Sequence, residues 1–160
     1  MFNKCVAFAL LAAPLVGAAV FTDSCTGASE AGFSVPGGTN SATIDNCVLT
    51  STLTITTLVS GSTLTIKASS MPNLVIAAQD GVTVIIEGVT VTATAGHGIS
   101  FTGEMKNSAI SFTAGTSVTS IGAVGVHFPS SPALTTCPVA VSGSTITGYT
   151  HGIQVVGHVT

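Results

Sequence analysis

The chain has 160 residues, enough for one domain with a real core; 46% of them are hydrophobic, only 6% are charged, and the formal net charge is −3. Disorder is excluded, because disordered chains are richer in charge and poorer in Val, Ile and Leu. Nucleic acid is excluded as a partner, because the chain has no Arg and only Lys4, Lys67 and Lys106 to neutralise phosphates.

Residues 1–19, MFNKCVAFALLAAPLVGAA, read as a secretory signal. Lys4 gives the positive start, Cys5 to Val16 the apolar stretch, and Ala18 and Ala19 the small residues a signal peptidase accepts. The stretch is short of the roughly 20 residues that a membrane-spanning helix needs. The expectation is therefore a secreted or cell-surface protein. No Asn-x-Ser/Thr sequon occurs.

Residues 20–45 lack the pattern that follows and are expected to cap the N-terminal end, covering open strand edges. In an oxidising compartment the expected pair is Cys25 with Cys47; Cys137 is then odd, either a buried small hydrophobe, the favoured reading, or a partner for another chain.

From residue 46 to 160 the sequence repeats. Gly61, Gly88 and Gly115 are 27 apart and Gly143 follows at 28, opening GSTLTIK, GVTVTAT, GTSVTSI and GSTITGY. A second phrase recurs from Gly98, Gly125 and Gly152 as GISF, GVHF and GIQV. Apolar and polar residues alternate with period two, which means strands with one buried face. Three strands per coil, in about four coils of about 27 residues, is an all-β, right-handed parallel β-helix. The expected inward ladders are Leu64, Val91, Val118 and Ile146; Ile99, Val126 and Ile153; and Phe101, Phe128 and Val155.

On coil length, corner Gly and the Gly-Ile-x-Val strand, residues 46–157 resemble the pectin-lyase-like superfamily of right-handed β-helices. Gly96-His97-Gly98-Ile99-Ser100 is similar to the GHGIS element of polygalacturonases, so the resemblance makes His97 the catalytic candidate. The aspartates and the Arg-Ile-Lys element of that family are missing. Stepping by 27 from Asp80, Glu87 or Glu104 meets no second acid, although glycoside hydrolysis needs two carboxyls roughly 5–9.5 Å apart. A lyase needs Arg and a cluster of acids for calcium, and neither is present. His97 and His151 stand two coils apart, too far to share an ion, so neither they nor His127 and His158 form a metal site, and no cofactor is expected.

The binding candidates are the outward positions of the first phrase: Thr63 and Thr65, Thr90 and Thr92, Ser117 and Thr119, Thr145 and Thr147. On four successive coils they would form an uncharged lattice of roughly 6.8 by 4.8 Å. Phe33 and Tyr149 are the rings expected at the surface. The function expected is a non-enzymatic structural or adhesive role toward polysaccharide or a cell surface. Ice binding through the Thr columns is the first alternative, and a fragment of a polygalacturonase-like hydrolase the second. The last coil ends without a polar cap, so self-association through the open C-terminal coil is also expected, or continuation of the solenoid in a longer chain.

Overall fold

A computed structural model of the protein describes residues 20–25, 29–129 and 134–156; the expected leader at 1–19 and His158 lie outside them. The chain winds as a parallel β-helix, with one strand of each coil on each of three six-stranded sheets. Sheet A holds Val20–Ser24, Ser41–Asp45, Thr63–Lys67, Thr83–Glu87, Ala109–Thr113 and Val139–Val141. Sheet B holds Ser29–Glu30, Val48–Leu49, Ser70–Met71, Thr90–Ala93, Ser117–Ser120 and Thr145–Gly148. Sheet C holds Ser34–Val35, Leu53–Ile55, Leu74–Ile76, Ile99–Phe101, Val126–Phe128 and Ile153–Val155. A short sheet D of Gln79–Asp80, Met105–Lys106 and Leu134–Thr135 lies between the sheet C strand of one coil and the sheet A strand of the next.

Two expectations change. Residues 20–45 are part of the solenoid itself: Val20–Ser24 pairs in parallel with Ser41–Asp45, and Ser41–Asp45 with Thr63–Lys67. Coil length also varies along the chain. Thr63 lies beside Thr83, and Thr83 beside Ala109, so an early coil is shorter than the one after it. The period expected from the sequence holds for Thr90 to Ser117 and for Val126 to Ile153. Most of the extra residues go into the longer sheet B strand and the turn from sheet B to sheet C: the step from Ser70 to Leu74 on the short coil becomes Thr90 to Ile99 on the next.

The core is a set of aliphatic and aromatic ladders. On sheet C, Leu53, Leu74, Ile99 and Val126 stack in register and are fully buried. Phe101 and Phe128 stack beside them, ring centroids 4.4 Å apart. On sheet B, Val91 lies between Met71 and Val118, and Val118 beside Ile146, as the alternation implies. Leu64 is not in that column: it stacks between Ala42 and Val84 on sheet A. Each buried Leu, Ile, Val or Phe contributes about 1.5–3 kcal/mol.

Corners explain the misplacement of Leu64. Leaving sheet A, the chain turns through a left-handed residue on each coil: Asn46, Ala68, Gly88 and Ala114, with φ of 54°, 47°, 60° and 51°. Asn46 N–H donates to Lys67 O, Ala68 N–H to Glu87 O and Gly88 N–H to Thr113 O, so this corner is a continuous ladder. Entering sheet A there is a second such corner, at Gly61, Gly81, Asn107 and Thr136. Gly61 and Gly88 therefore occupy opposite ends of sheet A, and the stretch between them is not one coil.

Buried hydroxyls complete the corners. Ser69 Oγ accepts from Cys47 N–H (3.0 Å) and donates to Lys67 O (2.8 Å). Ser108 Oγ does the same between Val82 N–H and Lys106 O. Gln79, also buried, accepts from Leu58 N–H at Oε1 and donates to Thr56 O and Ala77 O. These side chains satisfy backbone groups that the turns would otherwise leave stranded.

Candidate functional site

The Thr lattice is real on sheet B but spans three coils. Thr90, Ser117 and Thr145 form one outward column, and Thr92, Thr119 and Thr147 the next. Val91, Val118 and Ile146 alternate with them toward the core, which fixes the hydroxyls outward. Thr63 and Thr65 belong to another face. On sheet A, Thr63 lies between Ser41 and Thr83, and Thr65 between Thr43 and Ile85. The four-row array expected from the sequence is thus two smaller arrays on different faces.

Sheet B also carries a third column that strand alternation alone does not reveal. Ala93, Ser120 and Gly148 are in register, and the residues after them are Thr94, Ile121 and Tyr149. Ile121 N–H donates to Ala93 O (3.0 Å), so between the first two coils the ladder continues past the ends of the strands; on the third coil Thr150 N–H donates to Ala123 O, and Tyr149 follows the last in-register residue, Gly148. Ile121 is 63% exposed and Tyr149 78%. The face therefore reads Thr-x-Thr-x-Thr, Ser-x-Thr-x-Ile and Thr-x-Thr-x-Tyr on three successive coils, roughly 10 by 14 Å. No charged side chain stands in any of these positions. Phe33, the other expected ring, is half-buried against Phe21 at 6.0 Å.

Charges gather at the ends of sheet A instead. Asp45, Lys67 and Glu87 are in one register column, with Lys67 Nζ 3.3 Å from Asp45 Oδ2. This column does hold two acids, contrary to the stepping by a constant period, but Lys67 stands between them. Asp80 is in register with Lys106 and accepts from Asn107 Nδ2 at 3.0 Å. Two shallow open depressions of about 220 and 230 Å³ adjoin these pairs, one lined by Asp80, Glu104 and Lys106, the other by Lys67 and Glu87. Each lysine is already matched by a carboxylate in register.

His97 sits in the turn from sheet B to sheet C. Gly98 N–H donates to Val124 O and Gly125 N–H to His151 O, which puts His97, Val124 and His151 in one backbone column, as the sequence spacing implies. The ring of His97 crosses to His127 on the next coil. The two imidazoles stack with centroids 4.0 Å apart and planes 11° apart. Val124 N–H donates to His97 Nδ1 at 3.4 Å. Burial first, and His97 second, push the His127 pKa below the ordinary imidazole value. Parallel stacked rings direct their nitrogen lone pairs along parallel planes, which does not converge them on one ion. Among the described residues no three His, Cys, Asp or Glu side chains gather as a metal site would require.

Cys25 and Cys47 form the expected disulfide, Cα atoms 4.8 Å apart, joining the first coil to the second. Cys137 is a buried free thiol whose pKa burial raises to about 11. Comparison with protein-family models, with curated proteins and with solved structures finds no match to this chain.

Proposed function

We propose that this chain is a secreted or cell-surface, non-enzymatic binding protein whose partner is a neutral polysaccharide surface, held on the outward face of sheet B. The observation that carries the reading is the uncharged array of six hydroxyl positions on Thr90–Ala93, Ser117–Ser120 and Thr145–Gly148, edged by Tyr149. Hydroxyls offer both donors and acceptors to sugar hydroxyls, and an exposed aromatic ring offers a flat apolar face to a pyranose. Coil architecture and the Gly-Ile-x-Val strand support placing the chain with the pectin-lyase-like β-helices.

The test is retention of the purified, disulfide-bonded chain on insoluble polysaccharides such as cellulose, chitin and neutral pectin side chains. Thr119→Glu and Tyr149→Ala should each lower the bound fraction several-fold while the far-ultraviolet circular dichroism stays unchanged. Absence of retention on the whole panel, or retention indifferent to both substitutions, would sink the reading.

Ice is the second reading, favoured by the in-register spacing of the two Thr columns, roughly 6.8 Å along the strand and 4.8 Å between coils. It requires thermal hysteresis that Thr119→Glu removes; unaltered ice growth refutes it. The hydrolase alternative requires release of reducing ends that His97→Ala abolishes.

A further inference from the structure

The sheet B face runs on into the turns that lead to the His97–His127 pair. Thr94 opens the 94–98 turn and Ile121 opens the 121–125 turn of the next coil, and both belong to the third column of the face. The two turns rest directly on one another: a Cβ on Gly122 would lie 2.8 Å from Ala95 Cα, and one on Gly98 2.8 Å from Gly125 O. His97 ties its turn to the next coil twice, through its ring on His127 of the strand Val126–Phe128 and through Nδ1, which accepts from Val124 N–H of the second turn.

That arrangement depends on neutral imidazoles. An Nδ1 that accepts a backbone N–H carries no proton of its own. Two parallel rings 4.0 Å apart repel once both are cationic. We propose that the His97–His127 stack is an acid-sensitive joint that holds the edge of the sheet B face in its binding shape at neutral pH and releases it in mild acid. The proposal rests on the polysaccharide reading for its consequence, but not for the joint itself.

The groups around the joint do not oppose this. His127 faces His97 from the preceding turn, Ser100 from Ile99–Phe101 and Gln154 from Ile153–Val155. His151, in the next turn, is the other titratable group of this corner. The carboxylate and lysine of the described residues nearest in sequence to His97, Glu104 and Lys106, lie beyond the sheet C strand Ile99–Phe101, where they line a depression with Asp80. Among the described residues no carboxylate is thus in place to stabilise an imidazolium here. The lowered His127 pKa agrees in sign: the fold prefers the neutral ring, so stability is full above about 6.5 and falls as pH drops through the lowered folded value.

The test uses amide hydrogen exchange at Val124, corrected for intrinsic rate, and retention on the polysaccharide, each at pH 7.5 and 5.5. In the wild type, acid should speed Val124 exchange by about threefold or more and lower retention in parallel. His127→Phe, which keeps a stacked ring but removes the repulsion between two cations, should weaken both changes, leaving only the part due to loss of the His97 Nδ1 acceptor; His127→Gln serves the same purpose should the Phe variant fail to fold. His151→Asn should behave as the wild type. Equal Val124 protection at both pH values, or an undiminished acid response in the His127 variants, overturns the joint. A chain retained on no polysaccharide at either pH overturns the proposed function, and Val124 exchange still decides the joint.

Discussion

Phe101 lies flat on Phe128 of the next coil, centroids 4.4 Å apart and planes 10° apart, and both side chains are buried. Ile76 precedes Phe101 in the same column. Phe101→Ala should cost about 3–5 kcal/mol in urea unfolding, because it removes a ring from the middle of a ladder whose neighbours cannot close the gap. Phe101→Leu should cost markedly less. A loss under about 1 kcal/mol for the alanine variant would show that the ladder is not packed as described.

The disulfide makes a second prediction. Cys25 and Cys47 are separated by 22 residues in sequence and join the first coil to the second. Reduction, or replacement of both by Ser, should lower stability by about 2–4 kcal/mol, mainly by freeing the unfolded chain. Exchange of backbone amides in Ser41–Asp45 and Val48–Leu49 should rise before exchange in Ile99–Phe101 does. Uniform loosening of all coils would contradict a local clamp.

The corner that leaves sheet A provides a pair of opposite expectations. Ala68 holds φ of 47° and Gly88 holds 60° at equivalent rungs, both exposed. A Cβ on Gly88 would meet Ala114 O at 3.5 Å, an ordinary contact, so only backbone strain distinguishes the residues. Gly88→Ala should destabilise by about 1 kcal/mol, and Ala68→Gly should stabilise by up to about that amount. Thermal unfolding of the two variants and the wild type measures both; shifts of the same sign would refute the assignment.

Those corners also show where the sequence is legible. Strand alternation and the spacing of Gly98, Gly125 and Gly152 place sheet C correctly, because each of these glycines precedes an inward Ile or Val on successive coils. The Thr array reads one face too long. A left-handed residue occurs at both ends of sheet A, and Thr-x-Thr follows Gly61 and Gly88 alike, so the two glycines look equivalent in one dimension. The early coils, in which Val20 meets Ser41, Ser41 meets Thr63 and Thr63 meets Thr83, are shorter than the later period, and that mismatch hides residues 20–45 as solenoid. Two-residue strands such as Gln79–Asp80 carry no alternation to detect. The His97–His127 stack is invisible for a different reason. Backbone stepping pairs His97 with Val124, correctly, but the ring crosses diagonally from a turn onto a strand.

Placement of the Thr residues on two faces predicts which substitutions matter for binding. Thr63→Glu and Thr65→Glu alter sheet A, whereas Thr119→Glu alters sheet B. Retention on polysaccharide should fall several-fold for Thr119→Glu and stay near wild type for the other two. Equal loss from all three would point to a footprint wrapping both faces. Loss from Thr63→Glu alone would move the site to sheet A, where Ser41, Thr43 and Thr83 complete the hydroxyl array.

Ile153, Val155 and Val141 continue the columns of Val126, Phe128 and Phe112, yet they are 41%, 37% and 45% exposed where those three are buried. Exposed apolar side chains arranged in ladder register favour association with a matching surface. A second copy of the chain is the simplest such surface in a purified sample, so sedimentation velocity should show association that grows with concentration. Val155→Lys places a charge in the column and should shift the population toward monomer without lowering the melting temperature by more than a few degrees. This edge is separate from the binding face: Val155 lies on sheet C and Thr119 on sheet B. Thr119→Glu should therefore leave the association constant unchanged. A wild type that remains monomeric at all concentrations would remove self-association, and one whose association responds to Thr119→Glu would place the contact on sheet B instead.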